Sequence, residues 1–66
     1  MVVKVLIHYK DDVSFGIEVP ILVAMEMVAR WLNQSPDSME VEGYGFYPNE
    51  AVKLEIFDLE EDSTNV

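Results

Sequence analysis

Apolar and polar positions alternate at the start of the chain, with Leu6 the apolar residue on the polar parity. Val3, Val5, Ile7 and Tyr9 take one parity against Lys4, Leu6 and His8, and after Lys10-Asp11-Asp12 the residues Val13, Phe15, Ile17 and Val19 alternate with Ser14, Gly16 and Glu18. A period of two is the mark of half-buried strands. If the three polar residues form the loop of a hairpin, Tyr9 faces Val13, Ile7 faces Phe15, Val5 faces Ile17 and Val3 faces Val19. That register puts both apolar sets on one sheet face.

The period then changes. Pro20 suits the first position of a helix, and Ile21 to Gln34 is rich in Ala, Leu and Met with no Gly or internal Pro, which predicts a helix. On a wheel of about 100° per residue, Glu26, Arg30, Asn33 and Gln34 form a polar stripe, with Ile21, Ala24, Met25, Val28, Trp31 and Leu32 expected over the sheet. Leu22, Val23 and Met27 fall outside that arc and form an apolar surface still to be covered. Asn33 to Ser38 reads as the turn-rich end of the helix. Met39-Glu40-Val41-Glu42 alternates as a third strand, with Gly43 or Gly45 as a bulge or a close backbone approach. A turn at Pro48-Asn49-Glu50 leads to a fourth strand in which Val52, Leu54 and Ile56 alternate with Lys53, Glu55 and Phe57. The expected fold class is α+β: a ββαββ order, with a mainly antiparallel four-stranded sheet and one helix packed on one face. It forms a single compact domain over residues 1–59, followed by an acidic flexible tail at 60–66.

Length sharpens this picture. With 66 residues and no cysteine, the chain has room for one core and nothing to staple it, so the core is efficient or shared with a second copy. We therefore expect a homodimer, with Leu22, Val23 and Met27 at the interface. Half of the residues are hydrophobic, too many for a disordered chain. Lys4 and His8 interrupt the first apolar run, which predicts no secretory leader. The longest uncharged run, Val19 to Met25, falls short of the ~20 residues that span a bilayer. A cytoplasmic protein without membrane contact is expected.

Thirteen acids stand against four bases, for a formal charge of −9, and the excess is segregated. Residues 1–36 carry four acids and three bases, whereas residues 37–66 carry nine acids and Lys53 alone. Catalytic and metal chemistry find little support in such a chain. His8 is its sole histidine, with only Ser14 and Gly16 expected near it across the hairpin, so no activated nucleophile is in prospect. The run Asp58-Leu59-Glu60-Glu61-Asp62 lacks the spacing of a calcium loop. Glu40 and Glu42, about 7 Å apart on one strand face, read as solvated carboxylates. No catalytic residue, metal ligand or cofactor is expected.

The stretch Glu42-Gly43-Tyr44-Gly45-Phe46-Tyr47 resembles the RNA-recognition-motif signature at Gly43, Tyr44, Gly45 and Phe46. Its leading basic position is Glu42 here, and a charge of −9 repels phosphate, so direct nucleic-acid binding is not expected. The converse follows. Alternate strand residues lie about 6.6 to 6.8 Å apart, so acids on strands and tail present a spaced row of charge to the Lys and Arg of a protein that normally grips phosphates. Asp37, Glu40, Glu42, Glu50, Glu55, Asp58, Glu60, Glu61 and Asp62 are the expected partner-binding residues, and a basic DNA-binding host protein the expected partner.

The overall type, a small, acidic, cysteine-free chain of hairpin, helix and further strands, resembles bacteriophage proteins that inhibit host machinery, among them the acidic DNA mimics that block the nucleoid protein HU. Ser14-Phe15, Glu18-Val19-Pro20 and Ala29-Arg30-Trp31 are also similar to the hairpin and helix of the small phage inhibitor of bacterial RNA polymerase, with Gly16 and Ile17 as two extra strand residues. The resemblance implies a phage-encoded inhibitor acting in the host cytoplasm, with RNA polymerase as the alternative target. A third expectation, from another class, is a small structural or assembly domain that acts through apolar contacts.

Overall fold

The computed structural model describes residues 1–59. The expected tail at 60–66, including Glu60, Glu61 and Asp62, lies outside the described residues. Within them the order is β1 (Val2–Tyr9), β2 (Ser14–Pro20), α1 (Ile21–Leu32), β3 (Met39–Val41), β4 (Tyr44–Phe46) and β5 (Ala51–Asp58). The class is α+β, but the strands divide into an antiparallel three-stranded sheet, ordered β2-β1-β5, and a separate hairpin of β3 and β4. The expected single sheet of four strands is corrected on this point.

The first hairpin has the register that its alternation predicts, with Val3 opposite Val19, Val5 opposite Ile17 and Ile7 opposite Phe15. Its connection is a tight turn at Lys10–Asp12, closed by Tyr9 N–H donating to Val13 O at 2.7 Å. Asp11 and Asp12 both have positive φ there, 64° and 63°, a region that Asp tolerates better than most residues. β5 pairs with the other side of β1, setting Ile56 against Val5 and Leu54 against Ile7 on the inward face. Val3, Val5, Ile7, Ile17, Val19 and Ala51 of the three-stranded sheet floor the core, and Ala24 and Met27 of α1 with Val41 and Phe46 of the second hairpin complete it.

Helix α1 is shorter than expected and differently rotated. Pro20 precedes the first turn instead of entering it, and the Ile21 N–H left over at that end donates to Met1 O at 2.9 Å. The helix stops at Leu32 because Gln34 turns left-handed, with φ 54°. Ser35 N–H then returns to Arg30 O and Gln34 N–H to Trp31 O, the paired bonds of a Schellman end. Met25 and Leu32, expected in the core, are 59% and 70% exposed, whereas Met27, expected on the surface, is 0% exposed. This is a rotation of roughly 60° on a wheel of about 100° per residue. Ten of the twelve helical residues are apolar, so the pattern alone leaves the phase loose. The phase is set in the fold by Trp31, whose indole N–H donates to Ala51 O at 2.9 Å and ties the last turn to the start of β5. Ala24, fully buried, brings the first turns close to the sheet.

The β3–β4 hairpin replaces the expected strand through Glu42. Met39 pairs with Phe46 and Val41 with Tyr44, leaving Glu42 and Gly43 as a two-residue turn with φ 51° and 84°. Positive φ at both positions is what a type I′ connection requires, and Asn-Gly is its preferred sequence. Gly43 therefore serves as a turn residue and not as a bulge, while Gly45 does give a close approach: a Cβ there would lie 3.1 Å from the Tyr47 hydroxyl. We expect Glu42→Asn to stabilise the chain by about 0.5–1 kcal/mol and Gly43→Ala to destabilise it by about 1 kcal/mol. Urea midpoints of the two variants should move in opposite directions, and equal midpoints would mean that the turn is of another kind.

Candidate functional site

Acidic side chains of the second half do not form one row. Glu40 projects from β3 opposite Gly45, and Glu42 sits at the turn corner, so the two do not share a strand face as expected. Asp37 lies in the connection after α1, where its N–H donates to Ser35 Oγ at 3.3 Å. Glu50 occupies the turn before β5, its N–H donating to Tyr47 O at 3.0 Å. All four are exposed, and none of them forms an ion pair among the described residues. Between Arg30 and Lys53 the chain has no Lys or Arg at all. Residues 33–50 thus present four solvent-facing negative charges, contributed by the β3–β4 hairpin and the turns on either side of it.

Glu55 and Asp58 lie elsewhere, on β5. Glu55 points to the outward face of the three-stranded sheet, where His8 Nε2 lies 2.8 Å from its Oε1 and Lys53 Nζ 3.8 Å from its Oε2. Lys4, His8, Lys53, Glu18 and Glu55 share that face by register, so its formal charges balance. Segregation by chain half has become segregation by surface. The His8 neighbour across the sheet is therefore a carboxylate of β5, a pairing hidden from sequence because β5 is 47 residues away. The hydrogen bond from His8 holds the Glu55 carboxyl below its ordinary value of 4.5, with Lys53 contributing. A depressed carboxylate pKa gives stability that is present above the unfolded value and lost as pH falls through the folded one. We expect Glu55→Gln to remove part of the loss of stability below pH 4.5, read from melting temperatures along an acid series. An unchanged acid limb would show that the contact contributes nothing.

An open cleft of about 530 Å³ lies at the hairpin end, lined by Tyr9, Lys10, Asp11, Val13, Phe15, Tyr47 and Glu50. The Tyr9 and Phe15 rings stand 5.6 Å apart, and Tyr47 N–H donates to the Tyr9 hydroxyl at 3.1 Å. Burial raises the Tyr9 phenol above its ordinary 10.0; the Tyr47 hydrogen bond opposes this and the Glu50 carboxylate adds to it. Of the aromatics in the Gly-Tyr-Gly-Phe-Tyr run, Phe46 alone is buried, with Tyr44 and Tyr47 about half exposed.

The expected dimer residues are corrected. Met27 is enclosed in the core of a single chain and Val23 packs against that core, leaving Leu22 as the surface residue of the three. Among the described residues no three His, Asp or Glu side chains gather where an ion would be held, and no helix is long and apolar enough to cross a membrane. No protein-family model, curated protein or solved structure matches the chain.

Proposed function

We propose that this chain is an acidic binding protein that occupies the phosphate-gripping groove of a basic host protein, such as a nucleoid protein of the HU type, a repair enzyme or a nuclease. In this reading it is phage-encoded, acts in the host cytoplasm, and blocks its target by presenting carboxylates where the target expects phosphates. One observation carries the reading: four exposed, unpaired acids in residues 33–50 with no Lys or Arg among them. An acidic coat kept for solubility needs no such separation from the balanced face of the sheet. Beyond Lys53 and Glu55, Asp58 and the acids at 60–62 add further negative charge to the second half of the sequence. Binding is expected to be fast, weakened by salt, and competed by duplex DNA.

Capture from a bacterial lysate on the immobilised chain tests this directly. DNA-binding proteins should be enriched, released by excess duplex DNA and lost steeply with added salt. Retention undiminished by both would overturn charge mimicry. A core polymerase subunit as the dominant partner would move the target to RNA polymerase. The reading as an assembly domain is favoured by a different observation, the apolar residues exposed on α1, and concerns the opposite kind of surface.

A further inference from the structure

Four positions of α1 that the sheet does not use recur at the spacing of a helix–helix seam. Leu22, Met25, Ala29 and Leu32 are separated by three, four and three residues, the a and d positions of a heptad. Leu22, Met25 and Leu32 are 74%, 59% and 70% exposed, and Ala29 is exposed with them. A helix lying on one sheet needs a single apolar stripe and a polar back. This helix has two apolar stripes, one turned to the core through Ala24, Met27 and Trp31 and one turned to solvent.

The second stripe is complementary to itself. In an antiparallel pair about a two-fold axis at the level of Met27, Leu22 of one helix meets Leu32 of the other and Met25 meets Ala29. Each layer then combines either two leucines or a long flexible side chain with a small one, and the same contacts are made twice, as an isologous interface demands. Parallel pairing would set Ala29 against Ala29 and leave that layer underfilled. Charge also admits a second copy at this face more readily than at any acidic one. Glu26 and Arg30 are the only charged residues of α1 and are paired with each other at 3.0 Å, so the helix is neutral while the acids of 33–50 lie beyond its end. A chain of net charge −9 associates with itself most easily through its uncharged surface.

We propose that α1 binds a second copy of this chain as an antiparallel helix pair, with Leu22, Met25, Ala29 and Leu32 as the seam. A helix of twelve residues is only about 18 Å long. The contact therefore falls at the small end of specific interfaces, below about 1,200 Å² in total, and the dimer is reversible. The proposal supplies the occupant for the apolar-assembly reading and is independent of any target for the acidic segment. It is tested on the purified chain alone, so its failure leaves that segment's reading untouched.

Sedimentation equilibrium from low micromolar to near-millimolar concentration should show monomer passing to dimer, and Leu22→Glu or Met25→Glu should raise the dissociation constant by at least about tenfold. Orientation is read by crosslinking, since the chain has no cysteine of its own. Leu22→Cys and Leu32→Cys chains, one of them isotope-labelled, are mixed and oxidised. A mixed disulfide well above its statistical share supports the antiparallel register. Homodisulfides at or above theirs, a monomer at every concentration, or a dimer indifferent to Leu22→Glu and Met25→Glu would each overturn the proposal.

Discussion

Met27→Glu is expected to unfold the chain, while Met25→Glu, two residues away on the same helix, is expected to leave it folded. Met27 is 0% exposed and belongs to the same buried core cluster as Val3, Val5 and Phe46. A carboxylate there has no cation within the core, and an unpaired buried charge costs several kcal/mol even after relaxation. At roughly 0.05–0.15 kcal/mol per residue, a domain of this size holds only about 3–10 kcal/mol in all. The substitution therefore removes most or all of its stability, beyond the loss of the apolar side chain itself. Met25 is 59% exposed, so Met25→Glu places the carboxylate in water, where surface changes usually stay within about 0.5 kcal/mol. Circular dichroism and urea unfolding at a concentration low enough to keep both proteins monomeric separate the two cases. A cooperative Met27→Glu variant with the parent midpoint would return the helix to the phase expected from its wheel.

That contrast marks where sequence patterning ran out. In the first hairpin two alternations of equal length, broken only by Leu6, share a short loop, and a one-residue slip would turn the inward apolar set outward, so the register from Val3–Val19 to Ile7–Phe15 was legible. Strand β5 was legible for the same reason, from Val52 through Phe57, though not its place beside β1. The phase of α1 was not: with Glu26 and Arg30 as its only charged residues, a broad range of rotations buries an apolar stripe. A contact distant in sequence, Trp31 to Ala51, selects one of them. The second hairpin was missed because its turn is spelled Glu-Gly. Alternation carried the strand through Glu42, whereas the fold reverses there at positive φ, a conformation that Asn-Gly would have announced.

Much the same division applies to the surface. Net charge and its segregation by half were plain in the sequence, and they survive in the fold as an acidic hairpin region set apart from a balanced sheet face. What the sequence did not reveal is which acids are already engaged. Glu55 has His8 and Lys53 for neighbours because β5 lies beside β1, and strand order is a tertiary fact. The seam on α1 was hidden by the same rotation that misplaced Met27: moving the core arc toward Met27 and Trp31 carries Met25 and Leu32 out to join Leu22.

Removing two charges from the acidic hairpin should weaken target binding by a factor of ten or more, whereas removing two from the first turn should leave it little changed. Glu40→Gln with Glu42→Asn takes the net charge from −9 to −7, and so does Asp11→Asn with Asp12→Asn. Three of the four positions share a backbone conformation, Glu40 in β3 being the exception. Glu42, Asp11 and Asp12 all have φ between 51° and 64°, and asparagine is the non-glycine residue that best tolerates this region. Each carboxylate lost from a contact with Lys or Arg is worth about 1–3 kcal/mol, so the hairpin pair together accounts for at least the tenfold loss. The first turn has Lys10 beside its acids and belongs to the half of the chain whose charges nearly cancel. Affinities measured by titration of the captured partner at two salt concentrations decide the matter, with the hairpin variant also losing part of its salt dependence. Equal losses in both variants would mean that the partner senses total charge and no acidic face exists. Unchanged affinity in both would mean that the partner reads something other than acid, leaving the apolar surface of α1 as the recognition surface.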